Sequence, residues 1–367
     1  MQLKQIARDA LLKPLQAVSG IVERRHTLPI LANVLLEPKD GHLEVTATDL
    51  EMQITAVADL PGKTGQATTV AARKLQDLLR ALPDDATLNV DATGNRMTVK
   101  AGRSRFNLQT MAAADYPRIS LGTEQLQTLS LPQKDLRSLL KRAEFAMAQQ
   151  DIRYYLNGML LVIDDGSLQA VATDGHRLSW ASIAVAGSYS RQEVILPRKT
   201  VLELGKLLAD SEDPVTLDIL ANQVRFRFAN VELVSKVVDG KFPDYNRVIP
   251  SGHSKLIELD RAQLHAALQR AAILSNEKFR GVRLVLGDGT LKIICTNAEQ
   301  EEAEEELEVP YQGDALDIGF NITYLLDVLA NLGSERVNLG FGDANSSALV
   351  TMPGRDDYKY VVMPMRI

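Results

Sequence analysis

The chain has 367 residues, 45% of them hydrophobic and 24% charged, with a formal net charge of −6. That length exceeds one ordinary core and predicts two or three domains, and the composition excludes a disordered chain. The acidic balance gives no long-range pull on nucleic acid, so any DNA contact must depend on where the cations sit. A single cysteine, Cys295, excludes an internal disulfide and a thiolate metal site, and fits a reducing cytosol. The opening MQLKQIARDALLKPL lacks the basic flank and apolar run of a signal peptide. No stretch approaches the roughly 18 apolar residues that span a membrane. A cytoplasmic protein without a cofactor is expected.

In chain order, Leu11 opens the first apolar helical pattern. DGHLEVTATD, from Asp40, reads as an Asp-Gly hairpin turn running into an alternating strand. Leu75, Leu78, Leu79 and Leu82 form a helical stripe that ends before Pro83, and Met97-Thr98-Val99-Lys100 alternates as a strand. The same succession then returns. Leu136, Leu139, Leu140 and Ala143 make a helix, DGSLQAVATD begins at Asp165, Val201, Leu204 and Leu208 make a second helix, and Arg225-Phe226-Arg227-Phe228 alternates. It returns once more with Leu264, with DGTLKIICTN from Asp288, and with the helix in GFNITYLLDVLANL.

Three landmarks share one period. The Asp-Gly turns at 40, 165 and 288 are offset by 125 and 123 residues, and so are Arg73, Arg198 and Asn321; Leu11, Leu136 and Leu264 are offset by 125 and 128. Each repeat reads strand, helix, several strands, helix, several strands. The fold class is therefore α+β: three similar domains, each with two helices laid on antiparallel sheet. Boundaries in the polar stretches near Gly122 and Ser251–Ser254 give domains 1–122, 123–253 and 254–367.

The helix faces opposite the apolar stripes carry cations. Lys134, Arg137 and Lys141 lie on one side of their helix, Arg73 and Arg80 share a face, as do Lys199 and Lys206, and Arg261 and Arg270 lie on the first helix of the third repeat. Solvation alone explains one such face, but not its recurrence. The last helix, with Asn321, Asp327 and Asn331, carries no Lys or Arg. Acid concentrates instead in Glu299, Glu301, Glu302, Glu304, Glu305, Glu306 and Glu308. Phosphate contacts act locally under salt screening, and no base-reading motif is present, so backbone contact without sequence specificity is expected.

Helices ringed at the ~10 Å spacing of packed helices would give six of them an axis-to-axis diameter near ~19 Å, with no usable hole. Twelve give ~38 Å, or ~28 Å clear of the helix half-widths, which admits duplex DNA about 20 Å across with a layer of water. At that spacing two chains can encircle DNA and one cannot.

RSRFNLQTMAAADYP, QQDIRYYLNGML, VATDGHRL, SKVVDGKFPDY, RAAILSNEKFRGVRL, EQEEAEE and the terminal YVVMPMRI resemble, essentially end to end, the bacterial sliding clamp family, the beta subunit of DNA polymerase III. The resemblance implies a head-to-tail homodimeric ring that encircles duplex DNA, tethers the replicative polymerase and confers processivity, with no catalysis of its own. It implies a hydrophobic partner cleft between the second and third domains, made by Leu156, Thr173, Gly175, His176, Arg177, Leu178, Pro243, Arg247, Val248, Asn321, Tyr324, Ser347, Val361, Met363, Pro364, Met365 and Arg366. Short peptide motifs of polymerases, the clamp loader and repair proteins would dock there. Val361-Val362-Met363-Pro364-Met365 would ordinarily be a buried strand, but two methionines around a proline also make an adaptable surface.

For DNA, the resemblance points to Arg25, Gln150, Tyr154 and Tyr155, with Asn276 and Arg280 as further candidates, beside the helix cations Arg73, Arg80, Arg137, Lys141, Lys199 and Lys206. The family's proline after that first arginine is His26 here. For the dimer, Arg103 and Arg105 alternate with Phe106 and Leu108 on an early strand beside Lys74. Ile273, Leu274 and the Glu299–Glu305 run, including Glu301 and Glu304, offer a complementary surface. The acidic run is equally readable as a protected strand edge.

Two rival readings remain. Thr173-Asp174-Gly175-His176-Arg177 invites a catalytic His–Asp pair, but adjacent residues on a strand point apart and no nucleophile motif accompanies them. A peptide-binding scaffold without DNA encirclement explains the chain end and the repeats, yet leaves the basic faces idle.

Overall fold

A computed structural model describes residues 1–23, 27–39, 41–60 and 65–366. Arg25, His26 and Asp40 lie outside the described residues. Six helices are present among them: α1 (Arg8–Ser19), α2 (Ala72–Ala81), α3 (Gln133–Ala143), α4 (Arg198–Leu207), α5 (Arg261–Ala272) and α6 (Ile322–Asn331). Each repeat runs one strand, a helix, four strands, a helix and three strands. This is the α+β organisation that the landmarks predict. No described helix is long and apolar enough to cross a membrane.

The landmarks fall at equivalent places. Leu11, Leu136 and Leu264 are each the fourth residue of their helix and buried. Arg73 is the second residue of α2, Arg198 the first of α4, and Asn321 the N-cap of α6. Asp165-Gly166 and Asp288-Gly289 each join two paired strands, with Asp164 opposite Ser167 and Gly287 opposite Thr290. Gly166 and Gly289 sit at φ 71° and 74°, a left-handed conformation that a side chain would strain. One detail differs: Leu82 lies beyond α2 rather than inside it. The proline that follows drives Leu82 into an extended conformation, ψ 152°, and the helix stops at Ala81.

The chain forms two compact units, 1–137 with 202–237, and 138–201 with 238–367. All strand pairs in both are antiparallel. The first unit holds a twelve-stranded sheet in which Met52–Asp59 pairs with Val231–Lys236, so strands of the second repeat continue the sheet of the first. In the second unit, Arg177–Ala184 pairs with Arg355–Val362 in an eight-stranded sheet, so the other strands of the second repeat continue into the third. Backbone hydrogen bonding thus divides the middle repeat between two cores. A four-stranded sheet completes the second unit, ordered Glu302–Glu308, Thr290–Thr296, Gly281–Gly287 and Leu316–Asn321.

The cores follow from the patterns. In the first unit, α1 and α2 pack together over the strands, with Leu11, Leu15, Val18, Leu75 and Leu79 fully buried. Tyr116 is buried there; its hydroxyl donates to the Asn33 carbonyl at 3.2 Å and accepts from the Thr48 N–H at 3.2 Å, and burial pushes its pKa up to about 12. In the second unit, α5 packs on α6 and is capped by Asp260, which accepts from the Gln263 N–H at 2.8 Å. Gly158–Asp164 is buried on both faces, as its Met-Leu-Leu-Val-Ile run dictates for an inner strand.

Candidate functional site

A cleft of about 180 Å3 opens in the second unit. Its wall starts at Ser167–Thr173, a strand ending in the turn Asp174–His176. Asp174 shapes that turn: Oδ1 accepts from the backbone N–H of His176 at 2.9 Å and of Arg177 at 3.1 Å. Thr173 Oγ1 donates to the Arg177 carbonyl at 2.6 Å and accepts from the Gly175 N–H at 3.1 Å. Gly175 has φ +88°, which favours glycine, and a Cβ there would lie 2.8 Å from the Arg153 guanidinium, which would have to shift. Asp174 and His176 therefore do not sit on a strand, as the sequence argument had them. They sit in a turn whose carboxylate is engaged by backbone and by Arg177, which leaves no His–Asp dyad.

Arg177 closes the back of the cleft. Its Nε donates to Asp174 at 3.1 Å, Nη1 to Asp327 at 2.6 Å and Nη2 to the Phe145 carbonyl at 2.7 Å, while its guanidinium lies 4.4 Å from the Tyr324 ring centroid. A planar five-donor fork suits this arrangement and an ammonium does not. The chain end is pinned alongside: the Met363 N–H donates to the His176 carbonyl at 2.9 Å, and the Met365 N–H to the Gly319 carbonyl at 2.8 Å. The strand stops at Val362, so Val361 and Val362 are buried as a strand end while Met363 emerges 46% exposed.

The floor is apolar. Leu156, Leu178, Val361, Phe242 and Tyr245 are all buried, with Val248 and Met363 exposed at the rim. Tyr245 is held by Gln169, whose side-chain oxygen accepts from the Tyr245 hydroxyl at 3.2 Å and from Trp180 Nε1 at 3.1 Å. Arg153 lines the mouth, paired with Asp151 at 2.8 Å; that hydrogen bond holds the Asp151 carboxyl at about 2, well below its ordinary value.

Ten of the expected cleft residues line this one cavity: Leu156, Thr173, Gly175, His176, Arg177, Leu178, Pro243, Val248, Val361 and Met363. Others stand apart from it. Arg247 is exposed and pairs with Asp244, Asn321 caps α6 by accepting from the Thr323 N–H, and the Ser347 carbonyl meets His253 Nε2 at 3.0 Å. Tyr324 backs Arg177, and Pro364, Met365 and Arg366 continue the chain past the rim. Three lining residues escaped the sequence reading: Arg153, Phe242 and Tyr245. The Phe242-Pro243-Asp244-Tyr245 string, two aromatics around a proline in a polar stretch, was the available signal.

The cationic residues divide into two groups. Arg73, Arg80, Arg137 and Lys141 are exposed on α2 and α3 and form no salt bridge among the described residues. Lys206 instead pairs with Glu203 at 2.6 Å, and Lys199 is half-buried. The cations of α5 are engaged within their own unit. Arg261 donates to the carbonyls of Ser334 and Leu329, and Arg270 makes a fork to Glu305 at 2.6 and 2.7 Å. Gln150, at φ 55°, and the edge-on pair Tyr154 and Tyr155 lie in the loop before Gly158, with Tyr154 exposed and Tyr155 packed on the core. Asn276 accepts from the N–H groups of Lys278 and Phe279 and shapes the turn that presents Arg280, at φ 51°.

At the strand edges, Arg105 is exposed and Phe106 and Leu108 half-buried on Ser104–Ala112, whereas Arg103 lies in the turn before it. Only Thr110–Ala112 of that strand pairs with Thr68–Val70, so one edge of its first half is open among the described residues. Lys74 is exposed on α2. In the second unit, Glu302–Glu308 is the outer strand of its sheet; Glu304 pairs with Lys292, while Glu299 and Glu301 belong to a turn built on Asn297. Ile273 is 78% exposed and Leu274 half-buried after α5.

Three family models match in succession: the N-terminal domain of the DNA polymerase III beta subunit over residues 1–120, its central domain over 130–244 and its C-terminal domain over 246–366. A beta sliding clamp of Pseudomonas putida is 51% identical over 365 residues, 99% of each chain. The crystal structure of the DNA polymerase III subunit beta from Pseudomonas aeruginosa superposes at a TM-score of 0.96 with 50% identity, covering 100% of both chains. A sliding clamp from the same species bound to griselimycin superposes equally well, at 0.96 and 49% identity over 100% of both chains. With every repeat accounted for and identity near one half throughout, this chain belongs to the family of DNA polymerase III beta subunits, the bacterial beta sliding clamps.

Proposed function

We infer that this chain is a processivity clamp: it encircles duplex DNA without reading sequence and tethers the replicative polymerase. Membership of the family over the whole chain is the observation that carries this reading. Two chains supply twelve helices, which at the ~10 Å spacing of packed helices enclose a duplex with room for water. The exposed cations of α2 and α3, with Gln150, Tyr154 and Arg280, are the groups proposed to face phosphate. Weak, salt-screened contacts of this kind permit sliding.

The proposed partner site is the apolar cleft at Leu178, Pro243, Val248 and Met363. Its occupant is a short peptide from the polymerase, the clamp loader or a repair protein, which inserts one or two apolar side chains onto the Phe242–Tyr245 floor. The griselimycin complex of the Pseudomonas aeruginosa relative supports a ligand site on such a clamp. The domains are proposed to divide at about 122 and 253. Chemistry is left to the polymerase.

The test is product length per binding event in primer extension by the replicative polymerase with its loader. The full chain should lengthen products, and removal of Met363–Ile367 should abolish the gain while leaving the dimer intact. Undiminished extension by the truncated chain would refute the cleft as the tether.

A further inference from the structure

A second cavity, of about 370 Å3, opens in the same unit between the last turn of α3 and the end of α6. Ser138, Lys141, Arg142, Asn331 and Arg355 supply its polar lining, and Met352 an apolar wall. Arg142 is the unusual member. Its side chain is 10% exposed and its Nη1 donates to Asp357 at 3.0 Å, yet its buried Nε has no partner among the described residues. Native proteins satisfy nearly all buried donors, so this guanidinium is under-satisfied beside the cavity, and its Nη2 reaches only the Ser182 carbonyl, at 3.5 Å. Arg355 grips the same carboxylate at 2.9 and 2.5 Å, which holds Asp357 below the usual carboxylate range.

The charge balance favours an anion. Three cations, Lys141, Arg142 and Arg355, line the cavity, and one carboxylate, Asp357, is shared by the two arginines. The end of α6 would ordinarily repel negative charge through its free carbonyls. Two of the four are occupied: Leu329 accepts from Arg261 and Val328 from the Leu332 N–H. Glu144 is the other acid near the end of α3; burial pushes its carboxyl up, against the pull of Lys141 and Arg198.

We propose that this cavity is a phosphate site, taking a phosphate monoester or diphosphate on the Arg142–Arg355 pair with Lys141 at the mouth. Guanidinium forks match phosphate oxygens in geometry as well as charge. The recess decides the form of phosphate. Arg142 is nine-tenths buried, beyond the reach of a diester in a stiff duplex, but open to a small anion or to the terminal phosphate of a strand end.

Isothermal titration of the full-length protein with inorganic pyrophosphate tests the site. One saturable site per chain is expected. Arg355→Gln should weaken it about tenfold, the loss of one charge-assisted fork. Asp357→Asn should tighten it, because the competing carboxylate is gone; mere structural damage would weaken it. Far-UV circular dichroism checks that both variants fold. Short single strands with a 5′-phosphate or a 5′-hydroxyl separate the two sources: preference for the phosphorylated end, displaced by pyrophosphate, assigns the strand terminus, and pyrophosphate binding without such preference assigns the free anion. No saturable binding of pyrophosphate at millimolar concentration, or equal affinity in Arg355→Gln, overturns the proposal.

Discussion

Asp174, Asp327 and the Phe145 carbonyl each hold one nitrogen of the Arg177 guanidinium. Its part in the cleft is to fix the wall on which His176 and Met363 sit. Removing one partner of a buried ion pair strands the others, at about 3–5 kcal/mol. Arg177→Ala should therefore lower the urea midpoint and weaken peptide binding together, and Arg177→Lys should recover only part of either. An unchanged midpoint would show that the network carries no load. Cys295, 1% exposed, has its thiol pushed up to about 11 by burial. The unfolded chain releases that proton near 9, so stability is at its full value below pH 9 and falls as pH rises towards 11. A thiol-reactive probe should label the folded protein slowly at pH 8 and the urea-unfolded chain at once. Rapid labelling of the folded protein would contradict the buried placement.

Among the elements, α5 is the one whose start depends most plainly on a single side chain. Asp260→Ala should cost about 1 kcal/mol in unfolding free energy, the usual worth of an N-cap. A change within error would mean that packing on α6 sets the helix start instead. Local patterns of this kind were legible in the sequence: the Asp-Gly turns, the leucines that open α1, α3 and α5, and the stripe of α2 all lie within one element. The pairing of Met52–Asp59 with Val231–Lys236 was not, since nothing in an alternating strand names the edge it will meet. The cationic faces were read only in part for a similar reason. Arg270 finds Glu305 35 residues away and Arg261 finds Ser334 73 residues away, and both look idle on a helical wheel. Within the cleft, Phe242 and Tyr245 lie in one of the distinctive strings, SKVVDGKFPDY, yet of that string only Pro243 was assigned to the site, because burial of the two aromatics is a product of the fold.

For the whole molecule, two open strand edges bear opposite charge. Ser104–Ala112 carries Arg105, with Arg103 just before it; Glu302–Glu308 carries an exposed row of glutamates. Head-to-tail closure would bring the two edges together across the dimer, with Ile273 and Leu274 against Phe106 and Leu108. Ile273→Ala with Leu274→Ala should shift sedimentation towards monomer, and Arg103→Glu with Arg105→Glu should do the same in a salt-sensitive way. A dimer indifferent to both pairs of changes would place the interface elsewhere.

Topological linkage to DNA is tested most directly by loading the labelled protein onto a nicked circular duplex and then cutting the circle once. The account predicts long retention on the intact circle, even at salt that screens phosphate contacts, and prompt loss from the new ends after cutting. Equal retention on circle and linear duplex, or release from the circle by salt alone, would contradict it.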